Sequence, residues 1–271
     1  MKEVKIAACQ MESEPLNLSK NIEKAKEYIK KAINQKVNVV CFPELCLSGY
    51  HLNHKEIYPV SIPKNADEIK EFQQIARDDK MVIILPFSER SEIPGQIYNS
   101  TIVIDNSGSV AGIHRKFYLW GEEKLCFRKG TKFQNYSINM VNIGVNICYD
   151  AEYPEPPRIC AMKGAKLLFV PSVWSFEGEP RWDIQLPARA LDNLYYVIGV
   201  NTIGLKACGK SKFVSPMGEV LGISPRKEED MLVKTIDLEE VERARGELPY
   251  IKDIEEGLFI DHNLVNYPSL K

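Results

Sequence analysis

Three polar side chains stand where apolar stretches of the sequence end, and their chemical types suit covalent catalysis. They are Glu44, Lys116 and Cys148. A thiol is only slightly ionised at neutral pH, so a nucleophilic cysteine needs a base or a cation beside it. A carboxylate can serve as that base, and an ammonium can stabilise a tetrahedral oxyanion. We therefore predict that Cys148 is a nucleophile, Glu44 its general base and Lys116 an oxyanion partner.

Each of these residues also has an ordinary structural explanation. Free cysteine is among the most buried residue types, so Cys148 could belong to the core. Glu44 follows a proline and could begin a helix, and Lys116 could end a strand in solvent. His114 would share the strand face of Lys116 and is an alternative base, although a structural role is commoner for an isolated histidine. Spacing alone leaves these interpretations open.

Strand-like and helical patterns alternate along the chain and must position these side chains. Apolar runs predict strands at 4–9, 37–42, 81–86, 97–105, 110–116, 138–147, 167–170, 196–200, 212–215, 220–224 and 231–237. Helical spacing predicts helices at 18–32, 67–79, 157–164 and 182–194, the first with Ser19 as N-cap. Apolar strands separated by helices imply a sheet covered by helices, and the late hairpins imply a mixed sheet or two packed sheets. Ligands bind at the carboxyl ends of strands in such folds, so the three strand ends could share one pocket.

Composition and charge narrow the class of partner. The net charge is -2 with no basic run, so neither nucleic acid nor a membrane surface is indicated and a small molecule is expected. Seven scattered cysteines are typical of a reducing compartment, and no apolar stretch approaches the ~20 residues needed to cross a bilayer, so we expect a cytoplasmic protein. We expect one domain over 1–271, in which 253–271 is a tail that could pack on another subunit.

A series of motifs resembles the nitrilase superfamily of carbon–nitrogen hydrolases. The motifs occur in family order and cover most of the chain: Phe42-Pro43-Glu44-Leu45, Arg115-Lys116, Gly144-Val145-Asn146-Ile147-Cys148-Tyr149-Asp150, Tyr153-Pro154-Glu155, Ala188-Arg189-Ala190-Leu191-Asp192-Asn193 and Pro216-Met217-Gly218. The resemblance implies an α/β fold, a four-layer αββα sandwich of two mixed sheets. It also implies a homodimer or larger homo-oligomer and no metal or organic cofactor.

The resemblance carries the catalytic residues of the family to particular positions. It implies a triad of Glu44, Lys116 and Cys148. A further family glutamate, which helps position the substrate, falls on Glu122 or Glu123, and its distances along the sequence favour Glu123. Losing one oxyanion donor costs about two to three powers of ten in rate, so we expect removal of Lys116 to cripple the enzyme without unfolding it.

The residues after the nucleophile indicate which bond is broken. Cys148-Tyr149-Asp150 is similar to the amidase branches, whereas nitrilases tend to have Cys-Trp-Glu and N-carbamoyl amino-acid hydrolases often have Cys-Asn-Asp. We expect small linear amides to be cleaved to a carboxylic acid and ammonia through a cysteine thioester. The alternatives are an N-carbamoyl hydrolase, a nitrilase and a catalytically inactive binding subunit.

Four residues are expected to contact the substrate. They are Tyr50, Tyr149, Glu152 and Trp174. The backbone N–H of Tyr149 could meet the oxyanion, and Trp174 could line a pocket wall, although aromatic residues beside loops are more often ordinary packing. Glu152 replaces a cation that many relatives carry, so it could face a substrate amine; alternatively it pairs with an arginine such as Arg158.

Overall fold

Two six-stranded mixed sheets form the centre of the molecule in the computed structural model, which describes residues 3–50, 53–138, 141–204 and 206–254. The strands are β1 (Glu3–Gln10), β2 (Val39–Cys41), β3 (Val82–Arg90), β4 (Ile97–Ile104), β5 (Val110–Arg115), β6 (Asn135–Ile138), β7 (Val141–Val145), β8 (Leu167–Ser172), β9 (Tyr196–Asn201), β10 (Lys212–Val214), β11 (Val220–Ile223) and β12 (Asp230–Asp237). The helices are α1 (Leu18–Asn34), α2 (His54–Val60), α3 (Asp67–Asp78), α4 (Glu123–Cys126), α5 (Glu155–Met162), α6 (Glu179–Asn193) and α7 (Glu239–Glu247).

The strand order shows which chain segments end on the same side of each sheet. One sheet has the order β12-β1-β2-β3-β4-β5 and the other has the order β11-β10-β9-β8-β7-β6. Strands β1, β2 and β3 are parallel, and β5 runs in the same direction because it is antiparallel to β4, which is antiparallel to β3. In the other sheet β7, β8 and β9 are parallel. The carboxyl ends of β2 and β5 therefore share one edge, as do those of β7 and β8.

Successive side chains in strands β1, β2 and β3 point alternately into two different apolar layers. Residues such as Ala7, Val40 and Ile83 pack against the apolar faces of α1 and α3. Their neighbours, such as Ala8 and Cys41, belong to a second cluster with residues of the other sheet and of α5 and α6. Since successive strand residues point to opposite faces, this gives four layers, helix, sheet, sheet and helix. The predicted αββα fold is confirmed.

The structure corrects three local predictions. The run 138–147 is not one strand, because Ile138 ends β6 and the rest of the run holds β7 (Val141–Val145), which is antiparallel to β6. Asn17, not Ser19, is the N-cap of α1, and its side chain accepts from the Lys20 N–H at 3.2 Å. Helices α2, α4 and α7 were not predicted, because each buries only one or two residues and therefore shows little apolar periodicity.

Two further expectations concern the C-terminal tail and the absence of a membrane-spanning segment. Apart from Asp253 and Ile254, the expected C-terminal tail lies outside the described residues. Within the described ranges, no helix combines the length and apolar character that a membrane span requires.

Candidate active site

Glu44 is a buried carboxylate held by three donors from distant parts of the chain. It lies three residues beyond the end of β2 and exposes 2% of its surface. Its Oε1 accepts from Lys116 Nζ and from Asn99 Nδ2, each at 2.7 Å. Its Oε2 accepts from the backbone N–H of Val173 at 2.8 Å. These contacts fix both oxygens and bring together loops from the two sheets.

Lys116 lies between two carboxylates at the end of β5. Its Nζ donates to Glu44 Oε1 at 2.7 Å and to Glu123 Oε1 at 2.8 Å, and the side chain is 1% exposed. Burial lowers the pKa of Lys116, but the charges of Glu123 and Glu44 outweigh that effect and raise it well above its ordinary value. The side chain is therefore a fixed ammonium at neutral pH.

Glu123 completes the buried charge cluster from the first residue of α4. It is fully buried, whereas its neighbour Glu122 is exposed, so the structure places Glu123 against Lys116. Its Oε1 also accepts from the Tyr50 hydroxyl at 3.1 Å, and its Oε2 accepts from the Trp120 N–H at 2.8 Å. Burial raises the pKa of Glu123, the Lys116 charge lowers it and the Glu44 charge raises it, with a net upward shift. Tyr50 thus reaches the cluster through Glu123.

Cys148 begins a 3₁₀ turn, Cys148–Glu152, that follows β7. Its φ is +47°, in the left-handed region that non-glycine residues seldom occupy. Such residues often lie at functional sites, where the surrounding structure holds the backbone in place. Its Sγ lies 4.0 Å from the carbonyl oxygen of Val173, the residue whose N–H donates to Glu44. The sulfur and the carboxylate therefore lie beside the backbone of one residue, Val173.

The electrostatic setting of the sulfur favours a neutral thiol in the resting protein. Burial raises the pKa of Cys148 well above its ordinary value, and the negative charge of Glu44 adds to this shift, while the Lys116 ammonium opposes it. Because so little thiolate exists at neutral pH, removal of the proton must accompany attack on a substrate. Glu44 is the carboxylate whose charge acts most strongly on this thiol.

A cleft of about 60 Å³ opens above the sulfur. Its walls are formed by Trp120, Cys148, Tyr149, Glu152, Val173, Trp174, Ser175 and Arg181. Three of the four expected substrate contacts, Tyr149, Glu152 and Trp174, are among them. Glu152 Oε2 accepts from Arg181 Nε at 2.9 Å, so its ionic partner is Arg181 of α6 rather than Arg158. The cleft thus combines aromatic walls with one ion pair at its rim.

Several residues of the site were not predicted from the sequence. Asn99 and Val173 both donate to Glu44, yet they lie 55 and 129 residues from it along the chain. Asn99 sits on β4 and faces Glu44 across the sheet, but an isolated asparagine in a strand carries no signal of this. The buried His114 ring is directed to the Asp150 carboxylate at 2.9 Å, which favours a structural role over that of a base.

Comparisons with known proteins agree with this arrangement. The chain matches the family model described as carbon-nitrogen hydrolase over residues 5–246. It is 33% identical over 249 residues to a nitrilase of Pyrococcus abyssi, covering 89% of this chain and 93% of that protein. It is 30% identical over 221 residues to an (R)-stereoselective amidase of a Pseudomonas species, covering 80% and 79%.

A solved structure extends the similarity to the fold. An amidase from Nesterenkonia sp. AN1 is similar with a TM-score of 0.84 at 26% identity, and the match covers 97% of this chain and 98% of that one. In that structure a mutant of the amidase carries the acetamide moiety of fluoroacetamide on its active-site cysteine. The family model alone spans most of the chain, and the relatives match along most of their own length. The chain therefore belongs to the carbon–nitrogen hydrolase family, the nitrilase superfamily.

Proposed function

We propose that this carbon–nitrogen hydrolase cleaves small linear amides to a carboxylic acid and ammonia, with Cys148 as nucleophile. The observation that carries the proposal is the continuous buried chain of Glu44, Lys116 and Glu123, which meets the Cys148 sulfur at Val173 beneath the cleft. Together these residues supply the nucleophile, the carboxylate base and the fixed cation that acyl transfer requires.

The reaction begins when the sulfur attacks the amide carbon while Glu44 takes the thiol proton. The carbonyl oxygen becomes an oxyanion, which the Lys116 ammonium and the Tyr149 N–H stabilise. Glu44 then gives its proton to the nitrogen, the carbon–nitrogen bond breaks, and ammonia leaves a thioester on Cys148. Water attacks this thioester as Glu44 takes a proton from it, and return of that proton to the sulfur releases the acid.

The remaining residues orient the reacting groups. Glu123 holds Lys116 together with Glu44 and so helps to position the substrate amide, while the Tyr50 hydroxyl donates to Glu123. Trp174, whose indole Nε1 donates to the Gly178 carbonyl at 2.8 Å, is a fixed cleft wall. No step requires a metal or an organic cofactor.

The proposed preference for amides over nitriles and carbamoyl compounds is tested by measuring the ammonia and the acid released from each. We expect ammonia and propionate from propionamide, and at least about tenfold lower kcat/KM, a difference of 1.4 kcal/mol, for propionitrile and for N-carbamoyl-β-alanine. Release of ammonia is measured by a coupled enzyme assay and the acid by chromatography. A higher rate on the nitrile or the carbamoyl compound would reassign the substrate class, and no turnover of any of them would favour an inactive binding subunit.

The ion pair at the cleft rim supports a substrate that carries an amino group. Glu152 is mostly buried, with 16% of its side chain exposed, whereas 46% of Arg181 is exposed and can turn into solvent. A substrate ammonium can therefore replace Arg181 as the partner of Glu152. An exposed ion pair contributes only about 0.2–1 kcal/mol, so the exchange costs little.

Two variants test this contact with β-alaninamide and the neutral propionamide. Glu152→Gln should remove any preference for the cationic amide, because the anion is lost. Arg181→Gln should raise kcat/KM for β-alaninamide about two- to fivefold, because the competing cation is absent. Steady-state kinetics on both amides measure the preference. Equal responses of the two amides to both variants would show that the pair only stabilises the rim.

We also propose a homo-oligomer in a reducing, cytoplasmic setting. Large apolar side chains on α5 and α6, namely Met162, Ile184 and Leu191, are exposed, and such residues commonly mark subunit contacts. The seven cysteines are all free, as expected where disulfides do not form.

A further inference from the structure

Asp150 is a completely buried carboxylate outside the charge cluster of Glu44, Lys116 and Glu123. Its Oδ1 accepts from the backbone N–H groups of Phe117 at 3.1 Å and Tyr118 at 2.8 Å. Its Oδ2 accepts from the backbone N–H of Ile147 at 3.1 Å and meets His114 Nε2 at 2.9 Å. Four contacts satisfy both oxygens, which is what a carboxylate needs in order to be buried.

The partners of Asp150 flank the reacting groups on both sides. His114 precedes Lys116 by two residues, and Phe117 follows it directly. Ile147 immediately precedes Cys148. One side chain therefore ties the strand end that presents the ammonium to the turn that presents the sulfur, although the two segments are more than 30 residues apart along the chain, Phe117 being 33 from Asp150.

The sulfur needs such a support because its backbone is strained. Cys148 has a φ of +47°. This backbone angle is unfavourable for a residue that has a Cβ atom, so the surrounding structure must hold it. The bond from the Ile147 N–H to Asp150 closes the turn directly at the strained residue. The bonds to Phe117 and Tyr118 anchor the same carboxylate to the other sheet.

We propose that Asp150, held by His114, is a positioning residue that sets the Cys148 sulfur in register with Lys116 and Glu44. It touches neither the substrate nor the reacting atoms and acts through the two backbone segments that it joins. The inference rests on the proposed function, since it concerns how the same nucleophile is placed.

Asparagine at position 150 is the sharpest probe, because it keeps the shape of the side chain and changes its hydrogen bonding. If its NH₂ group faces the Oδ1 side, it meets the N–H groups of Phe117 and Tyr118, which are donors. If it faces the Oδ2 side, His114 can accept through its other tautomer, but the Ile147 N–H loses its acceptor. Either orientation therefore weakens one of the two attachments.

The experiment compares kcat, KM and the rate of Cys148 alkylation by iodoacetamide. For Asp150→Asn we expect kcat on propionamide to fall about 100-fold, the cost of a displacement of about 1 Å, with KM nearly unchanged. Alkylation of Cys148, located by peptide mass spectrometry, should slow as well. Ile29→Ala is the control. Ile29 is a buried residue of α1 in the outer apolar layer, so its substitution should lower the melting temperature without touching the site.

A second pair of variants keeps the test informative if Asp150→Asn does not fold. His114→Gln retains a donor for Asp150, whereas His114→Leu removes it while filling the space beside Phe133, whose ring lies 5.8 Å from that of His114. We expect His114→Gln to keep kcat near wild type and His114→Leu to lower it about tenfold, less than a misplacement of the whole turn would.

The outcomes separate positioning from mere stability. The proposal fails if Asp150→Asn keeps kcat and the alkylation rate within twofold of wild type, if the two His114 variants behave alike, or if Ile29→Ala loses activity to the same degree at a matched melting temperature. If wild-type protein hydrolyses no amide, the proposed function fails, and the alkylation rates still decide whether Asp150 places the sulfur.

Discussion

Replacing Cys148 with alanine is expected to abolish amide hydrolysis while leaving the melting temperature almost unchanged. Without the sulfur no thioester forms, and loss of the nucleophile in a hydrolase of this covalent type costs about a million-fold in kcat. The fold loses little, because the hydrogen bond of the sulfur to the Val173 carbonyl oxygen, at 4.0 Å, is weak. Alanine also adopts the same φ of +47° at no greater strain than cysteine. Cys148 is buried beneath the cleft, and loss of its one sulfur atom is expected to cost about 1 kcal/mol or less.

The matched control is a cysteine that belongs only to the core. Cys160 of α5 is fully buried and packs against Gly144 of β7, so Cys160→Ala should lower the melting temperature and leave turnover intact. Ammonia release and thermal melting are measured for both variants. Intact-mass spectrometry after soaking with amides should find an acyl adduct on wild type and on Cys160→Ala, and none on Cys148→Ala. Turnover by Cys148→Ala above about one part in a thousand would identify another nucleophile.

Some strands and the three catalytic candidates could be predicted from the sequence alone. Strands β1, β3, β8 and β9 are visible as short apolar runs, and Glu44, Lys116 and Cys148 are visible because each lies where such a run ends. A motif places a residue within its own segment, and the parallel strand directions then bring these ends to common sheet edges.

Contacts between distant segments could not be predicted in this way. Asn99 and Val173 belong to β4 and to the loop after β8, and nothing local marks either one as a partner of Glu44. The sequence offered Arg158 as the partner of Glu152, but the partner is Arg181, because α6 and not α5 brings its first turn over the cleft. The boundary between β6 and β7 was missed for a related reason, since apolar character indicates burial and not where one strand ends and the next begins.

The structure also changes what is expected when Lys116 is removed. The sequence suggested that such a variant would lose activity and stay fully folded. In the structure Lys116 lies between Glu44 and Glu123, and all three side chains are almost inaccessible. Removing one partner of a buried ion pair leaves an uncompensated charge and costs about 3–5 kcal/mol. Lys116→Met, which keeps most of the side-chain volume, should therefore lose both activity, by about two to three powers of ten, and stability.

The loss of stability in Lys116→Met should depend on pH. Burial raises the pKa of Glu123, and the charge of Lys116 opposes this, so its removal raises that pKa further. A carboxyl group with a folded-state pKa above its unfolded value of about 4.3 stabilises the fold fully at pH below that value, and the contribution is lost as pH rises through the folded pKa. Lys116→Met should thus approach wild-type stability near pH 4 and lose it progressively toward pH 8. Thermal melts across this range measure the difference.

A second substitution distinguishes the charge effect from a simple loss of packing. Glu123→Gln in the Lys116→Met background removes one of the two facing carboxylates and keeps the side-chain shape. The double variant should regain part of the stability at pH 8 and show a weaker pH dependence, because only one buried carboxylate, Glu44, is then left without its ammonium partner. Its activity should stay as low as that of Lys116→Met, because the oxyanion still lacks its ammonium. A double variant as unstable as Lys116→Met would mean that the lysine contributes through packing, whereas recovered turnover would remove Lys116 from the proposed chemistry.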